Sequence, residues 1–208
     1  MVATLKVNQI ESVNGNTDIS IPTGERIVGV DTGSVISPGG VIQIVHGKMG
    51  QPFSGTGTAG TFPADNYFVD PGIEATITPK FSNSQILVTT HVYAGMSSSN
   101  NYQLEYQILK ASVILTDANG ATTGGRQGVA ARINPYGAAN STHRMNEMSG
   151  QHLDTNVGTT SATTYKIRIR GYSSSTTVYI NRSEAFQDGN LDYDGIPQST
   201  ITLTEIKV

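Results

Sequence analysis

Residues 72–95 read GIEATITPKFSNSQILVTTHVYAG. Ile73, Ala75 and Ile77 alternate with Glu74, Thr76 and Thr78, so one face of a pleated strand is apolar and the other polar. Pro79 ends that run, and Lys80 to Ser84 make a polar turn. Gln85 then opens a second run, Ile86-Leu87-Val88-Thr89-Thr90-His91-Val92-Tyr93, which begins as a continuous apolar segment. The pattern predicts two adjacent strands, an inner hairpin of an all-β sandwich with the other strands laid around it.

The flanking sequence repeats the theme. Val41 to Val45 predicts a strand, and Gly47 to Ala64 a long Gly/Thr loop; Tyr67 to Val69 predicts a short edge strand. Tyr102 to Leu109 carries aromatic or apolar residues at its even positions, which faces them to a core. Val113 to Thr116 continues that strand or pairs back on it, and Asn119-Gly120 offers the positive φ of a tight hairpin. Gln127 to Ile133 is a weak strand, and Asn134 to Met148, with no clean period, is where the one short helical turn is expected.

Thr164 to Arg170 is the cleanest alternation: Tyr165, Ile167 and Ile169 oppose Lys166, Arg168 and Arg170, a basic face most simply read as solvated. Thr176 to Ile180 and Thr200 to Ile206 complete the set. The last strand is expected mid-sheet, because an exposed edge invites association. Short strands at close spacing predict a sandwich or jelly roll.

Composition agrees. The chain has 208 residues, 23 of them Gly, and only 14% are charged, the make-up of short strands joined by many turns. The length fits one ordinary domain with a short appendage. A net charge of -3 supplies no basic field for phosphate backbones, so nucleic acid is not an expected partner. Cysteine is absent, which excludes disulfides, thiolate metal sites and a cysteine nucleophile. The N-terminus lacks a charged, then apolar, leader pattern, and no apolar run approaches the ~18–20 residues of a bilayer span. Synthesis inside a cell, in soluble form and without membrane insertion, is the expectation.

Before Asp31 the pattern changes. Leu5, Val7, Ile10, Val13, Ile19, Ile21, Ile27 and Val30 fall in very short alternating runs separated by Asn14-Gly15 and Pro22-Thr23-Gly24. Such runs are too brief to bury a face within one chain, but three intertwined copies could bury it together. Asp31 to Gly40 is a Gly/Ser/Pro connector. The expected organisation is a β stalk over residues 1–38 and a sandwich head over 39–208.

Several of these segments carry a family resemblance. The Gly40-Val41-Ile42-Gln43-Ile44-Val45 opening, Ile77-Thr78-Pro79-Lys80 with Ser84 to Val88, Val178 to Ser183 and Ser199 to Val208 resemble the compact β-domains at the ends of tail-fibre and related virion proteins of bacterial viruses, particularly marine ones. Leu5 to Gly15 and Asp18 to Gly24 resemble the N-terminal shaft and attachment segments of viral fibres. The resemblance implies a homotrimeric virion protein. It would attach to other virion proteins through its N-terminal segment and present a head to a host-surface glycan or protein. A capsid decoration protein that clamps the shell is the competing expectation.

Motifs for chemistry are sparse. Gly55-Thr56-Gly57-Thr58-Ala59-Gly60 matches a dinucleotide fingerprint, but Pro63 follows and no βαβ pattern surrounds it, which favours a loop. His46, His91, His143 and His152 show no metal-ligand spacing, and His91 is expected as a satisfied half-buried strand residue; no Gly-x-Ser-x-Gly elbow occurs. No catalytic residue is predicted. Asn190, Asp192 and Asp194, before Gly195, copy the first half of a calcium loop. The second half is missing, since Ile201 stands where the closing Glu would be; Ca²⁺ is the one cofactor considered, against a solvated Asp-Gly turn. Asn100, Tyr136, Tyr172 and Tyr193, in or beside Gly/Ser/Asn/Asp loops, are the candidate receptor contacts, because tyrosine beside small polar residues stacks and hydrogen-bonds adaptably.

Overall fold

The computed structural model describes Thr23 and residues 37–56, 68–97, 103–124, 126–134, 142–171, 176–186 and 195–208. From Ser37 onward the chain forms one unit. Its strands are β1 (Val41–Met49), β2 (Phe53–Thr56), β3 (Glu74–Ile77), β4 (Gln85–Met96), β5 (Leu104–Lys110), β6 (Val113–Ile114), β7 (Ala131–Ile133), β8 (Asn146–Asp154), β9 (Thr163–Arg170), β10 (Thr177–Ile180) and β11 (Ser199–Ile206).

They form two antiparallel sheets. In the first, β4 pairs with β8 on one side; on the other it pairs with β11 over residues 85–91 and with β10 over 94–96. β10 and β11 therefore lie end to end, as do β1 and β2, which pair with them in turn. In the second sheet β9 lies between β3 and β5, whose far side carries β7 and then β6. The ladders run β8, β4, β10/β11, β1/β2 in one sheet and β6/β7, β5, β9, β3 in the other. Every link between these ladders crosses to the opposite sheet, except the link from β5 to β6/β7. That order is the double Greek key of a jelly roll, as the turn-rich short-strand pattern predicts.

One expectation is overturned at the outset. β3 and β4 are not a hairpin: β3 pairs with β9, while β4 occupies the middle of the other sheet. The connector between them is an arch over the end of the core. Glu205, fully buried, anchors it by accepting the amide N–H of Lys80 at 2.7 Å, with Gln43 Nε2 on its other oxygen at 2.5 Å. Ile73 and Ile77 thus face Ile86, Val88, Ile201 and Leu203 across the sandwich.

The core is completed by Val92, Leu104, Tyr106, Ile108, Met148, Tyr165, Ile167, Ile169 and Ile180. The predicted even-position face of β5 and the odd-position face of β9 both supply it. Full burial of each such aliphatic side chain contributes roughly 1.5–3 kcal/mol. A buried phenol is paired across the sheets, whereas the buried Ser84 and Ser183 hydroxyls have no hydrogen-bond partner among the described residues. Tyr106 Oη donates to Thr90 Oγ1 at 2.8 Å, and Thr90 donates onward to the Gly150 carbonyl at 3.2 Å. Burial pushes the Tyr106 phenol up in pKa, with the Thr90 bond acting against it. Gly150 is required at that point, since a Cβ there would lie 2.3 Å from Tyr106 Oη.

Other expectations are corrected in detail. The tight turn is at Ala111-Ser112, with φ of 48° and 66°, while Asn119 is extended. Asn119 instead pairs with strand β5 by its side chain: Oδ1 accepts from Ile108 N and Nδ2 donates to Ile108 O. The helical element among the described residues is a 3-10 turn at Thr116–Ala118, and β8 already begins at Asn146 inside the segment expected to coil. β11 does lie mid-sheet, between β1 and β4.

Candidate binding surface

The strand directions sort the loops to two ends. At one end the chain arrives through Gly39 and Gly40, which exchange backbone bonds with Lys207 (Gly39 N to Lys207 O, 2.7 Å; Lys207 N to Gly40 O, 3.0 Å). The same end holds the arch of Lys80 and Phe81 and the start of β9, where Ile77 opposes Thr163. At the far end Thr56 opposes Thr177, Ser97 N donates to Thr177 O at 2.9 Å, Leu104 opposes Ile133, and Glu105 opposes Arg170. Ala185 N donates to Thr142 O at 2.9 Å, joining two further connectors. The described flanks of residues 57–67, 98–102, 135–141 and 172–175 thus lie together at the end opposite the arriving chain.

Asn100, Tyr136, Tyr172 and Tyr193, like Asn190, Asp192 and Asp194, lie outside the described residues. Among the described residues no group of three or more His, Asp or Glu is placed to hold a metal.

The far end is stiffened by side chains that sequence reading left solvated. Arg170 is buried, donating Nε and Nη2 to Glu105 Oε2 at 2.8 and 2.6 Å and Nη1 to Gln127 Oε1 at 3.0 Å. Arg168 donates to Gln107 Oε1 at 2.8 Å. Both guanidinium groups stack on Phe68, at 4.5 and 4.7 Å from the ring centre. Lys166 pairs with Asp70 at 2.7 Å. The alternation of β9 is real, but its basic face is covered by a segment nearly a hundred residues earlier, a contact periodicity cannot report.

A second fixed point is the break between β10 and β11. Asn181, fully buried with φ of 56°, donates Nδ2 to Met49 O at 2.6 Å and accepts from Ser199 Oγ at 2.6 Å. Ser199 Oγ accepts in turn from Tyr93 N at 3.0 Å. Asn181 and Ser199 therefore close the gap between two collinear strands. Arg182 follows at once, stacked on Tyr179 and Phe186 at 5.1 and 4.8 Å. The phenol of Tyr179 is raised in pKa by burial and by Glu184, with Arg182 and Thr177 opposing.

Titratable groups elsewhere are structural in setting. Asp154, at the end of β8 nearest the arriving chain, accepts from Tyr165 Oη at 2.6 Å, Lys110 Nζ at 2.7 Å and Asn156 N at 2.9 Å. Burial acts to raise its pKa, but the Lys110 and Tyr165 hydrogen bonds, the Asn156 amide and the Lys110 charge outweigh it and hold the carboxyl below the usual range. Burial, then the bond to and charge of Asp154, push the Tyr165 phenol far above its ordinary value.

His91 sits exposed on the outer face of the first sheet, not half-buried, with Nδ1 2.9 Å from Glu147 Oε1. Ser149 is its cross-strand neighbour. Serine, histidine and glutamate adjoin there, on an open face with no hydrogen bond from the hydroxyl to the imidazole, which is the geometry of a surface ion pair rather than of an activated nucleophile.

Comparison with known proteins adds no family: no protein-family model matches the chain, and no curated protein matches it.

Proposed function

We propose that this chain is a virion structural protein of a bacterial virus, a short fibre or fibre-like component whose N-terminal segment attaches and whose jelly-roll head contacts the host surface. The observation that carries this reading is the polarity of the head. The chain arrives beside the end of β11, and the described flanks of four connectors lie together at the opposite end, above a frame of Arg170, Glu105, Asn181 and Ser199. A rigid scaffold with loops gathered at the end away from its tether is suited to presenting a contact surface. The stalk-like repeats before Asp31 and the resemblance to virion β-domains point the same way. As a homotrimer, one weak site per subunit would gain avidity on a repetitive surface.

A capsid decoration role is the second reading. It is favoured by exposed apolar side chains at both edges of the first sheet, Val41 (59% exposed) and Ile44 (63%) on β1 and Leu153 (39%) on β8, which a shell protein could cover. Adsorption competition separates the two. Excess purified protein should slow adsorption of the virus to its host if the head binds that surface. Unchanged adsorption, with the protein saturating stripped capsids instead, would replace the fibre reading with decoration.

A further inference from the structure

A cleft of about 420 Å³ opens on the outer face of the second sheet, under the connector from β6 to β7. It is lined by Gln107, Ile114, Thr116, Asn119, Thr122 and Gln127, with backbone at Gly120, Ala121 and Gly128. Its size falls within the roughly 300–1,000 Å³ of ordinary small-ligand sites.

The floor is fixed. Gln107 Nε2 donates to Gly128 O at 2.5 Å while its Oε1 takes Arg168 Nε at 2.8 Å, and Asn119 Nδ2 donates to Leu115 O at 2.6 Å. The covering connector is held as well: Gly120 N donates to Val129 O at 3.1 Å, and Thr123 and Arg126 exchange backbone bonds at 3.0 and 2.9 Å. A Cβ on Gly128 would collide with the Gly120 carbonyl, so the two legs of the connector touch there by design of sequence. The cleft is therefore preformed, and a ligand need not order it.

Its chemistry is mixed and neutral. Among the described residues Thr116 Oγ1 has no partner, and Thr122 Oγ1 accepts Gly128 N at 3.1 Å, leaving its own proton to donate. Ile114 and Ala121 add aliphatic surface beside these hydroxyls. No lining side chain is charged; the Arg168 guanidinium, bonded to the floor residue Gln107, is stacked on Phe68, and Arg170 is held by Glu105 and Gln127. A charged ligand would lose water without gaining a counter-charge, and a wholly apolar one would bury the hydroxyls unpaired. A saccharide ring has an aliphatic face and a rim of neutral hydroxyls, and meets both demands.

We infer that this cleft is a binding site for an uncharged saccharide, separate from the far-end loops and independent of where the protein sits on a particle. The test is saturation-transfer NMR of the full chain with methyl glycosides of glucose, galactose, mannose and N-acetylglucosamine, and with glucuronate as the anionic counterpart. At least one neutral glycoside should bind, at an affinity on the order of millimolar. Thr116→Val should weaken it about threefold to tenfold, the worth of one hydrogen bond. Ala121→Arg should abolish it, with unaltered unfolding midpoints for both cleft variants, and Arg182→Ala at the far end should leave binding unchanged. Absence of binding by every neutral glycoside, preference for glucuronate, or binding indifferent to both cleft variants would overturn the assignment.

Discussion

Gly150→Ala probes the contact that ties the two sheets together. The added methyl would stand 2.3 Å from Tyr106 Oη and 3.3 Å from Thr90 Oγ1, but 3.6 Å from Tyr106 Cζ, which is ordinary contact. The clash is therefore with the hydroxyl and not with the ring. Tyr106 and Thr90 are fully buried, so the phenol cannot swing out; it must shift within a packed core and give up its bond to Thr90. Overpacking at about 1–3 kcal/mol plus a stranded buried hydroxyl at about 1–3 kcal/mol predicts a loss of about 2–6 kcal/mol. Tyr106→Phe alone removes only the hydrogen bond and should cost about 1 kcal/mol. In the double variant the obstructing oxygen is gone, so Gly150→Ala with Tyr106→Phe should be more stable than Gly150→Ala alone. Urea unfolding of the four proteins at one protein concentration gives the cycle. Additive costs, or a Gly150→Ala penalty below about 0.5 kcal/mol, would refute the assignment of the clash to the hydroxyl.

Other substitutions test other joints. Ala111 and Ser112 both adopt left-handed backbone in the β5–β6 turn, so Ala111→Asn with Ser112→Gly should raise stability by about 1–2 kcal/mol in the same unfolding assay. Arg170→Met leaves the buried Glu105 carboxylate, among the described residues, with Arg132 alone as a charged partner, 3.7 Å away and exposed, and should cost about 3–5 kcal/mol; Arg170→Met with Glu105→Leu should recover part of it. Asp154 has a folded pKa below its unfolded one. Its contribution is therefore complete above the unfolded value of about 4 and disappears as pH falls through the folded one. Wild type should lose stability below about pH 4 more steeply than Asp154→Asn, whose curve, followed by urea midpoint from pH 7 to 2, lacks that component.

Much of the fold is legible because period-two alternation reports which face of a strand is buried. Tyr165, Ile167 and Ile169, and Leu104, Tyr106 and Ile108, enter the core as their spacing implies. Alternation does not report a strand's partner. Ile73 to Ile77 and Ile86 to Val92 face one another across the core instead of pairing, because Glu205, far along the chain, captures the arch between them. The solvated reading of Arg168 and Arg170 fails for the same reason, since Phe68 covers them from a distance in sequence. The Ala111-Ser112 turn carries no glycine or asparagine to announce it, whereas Asn119-Gly120 carries both, yet the Asn119 side chain mimics strand pairing instead. The cleft beneath residues 119–128 is assembled by that mimicry. Its one signal in the sequence is a run of small and neutral polar residues, Asn119 to Gly128, interrupted by Arg126 alone.

Gold-antibody labelling of intact virus particles tests the proposed function most directly. The account predicts label confined to the tail or its fibres. Label spread evenly over the shell would contradict it and assign the sandwich to capsid decoration.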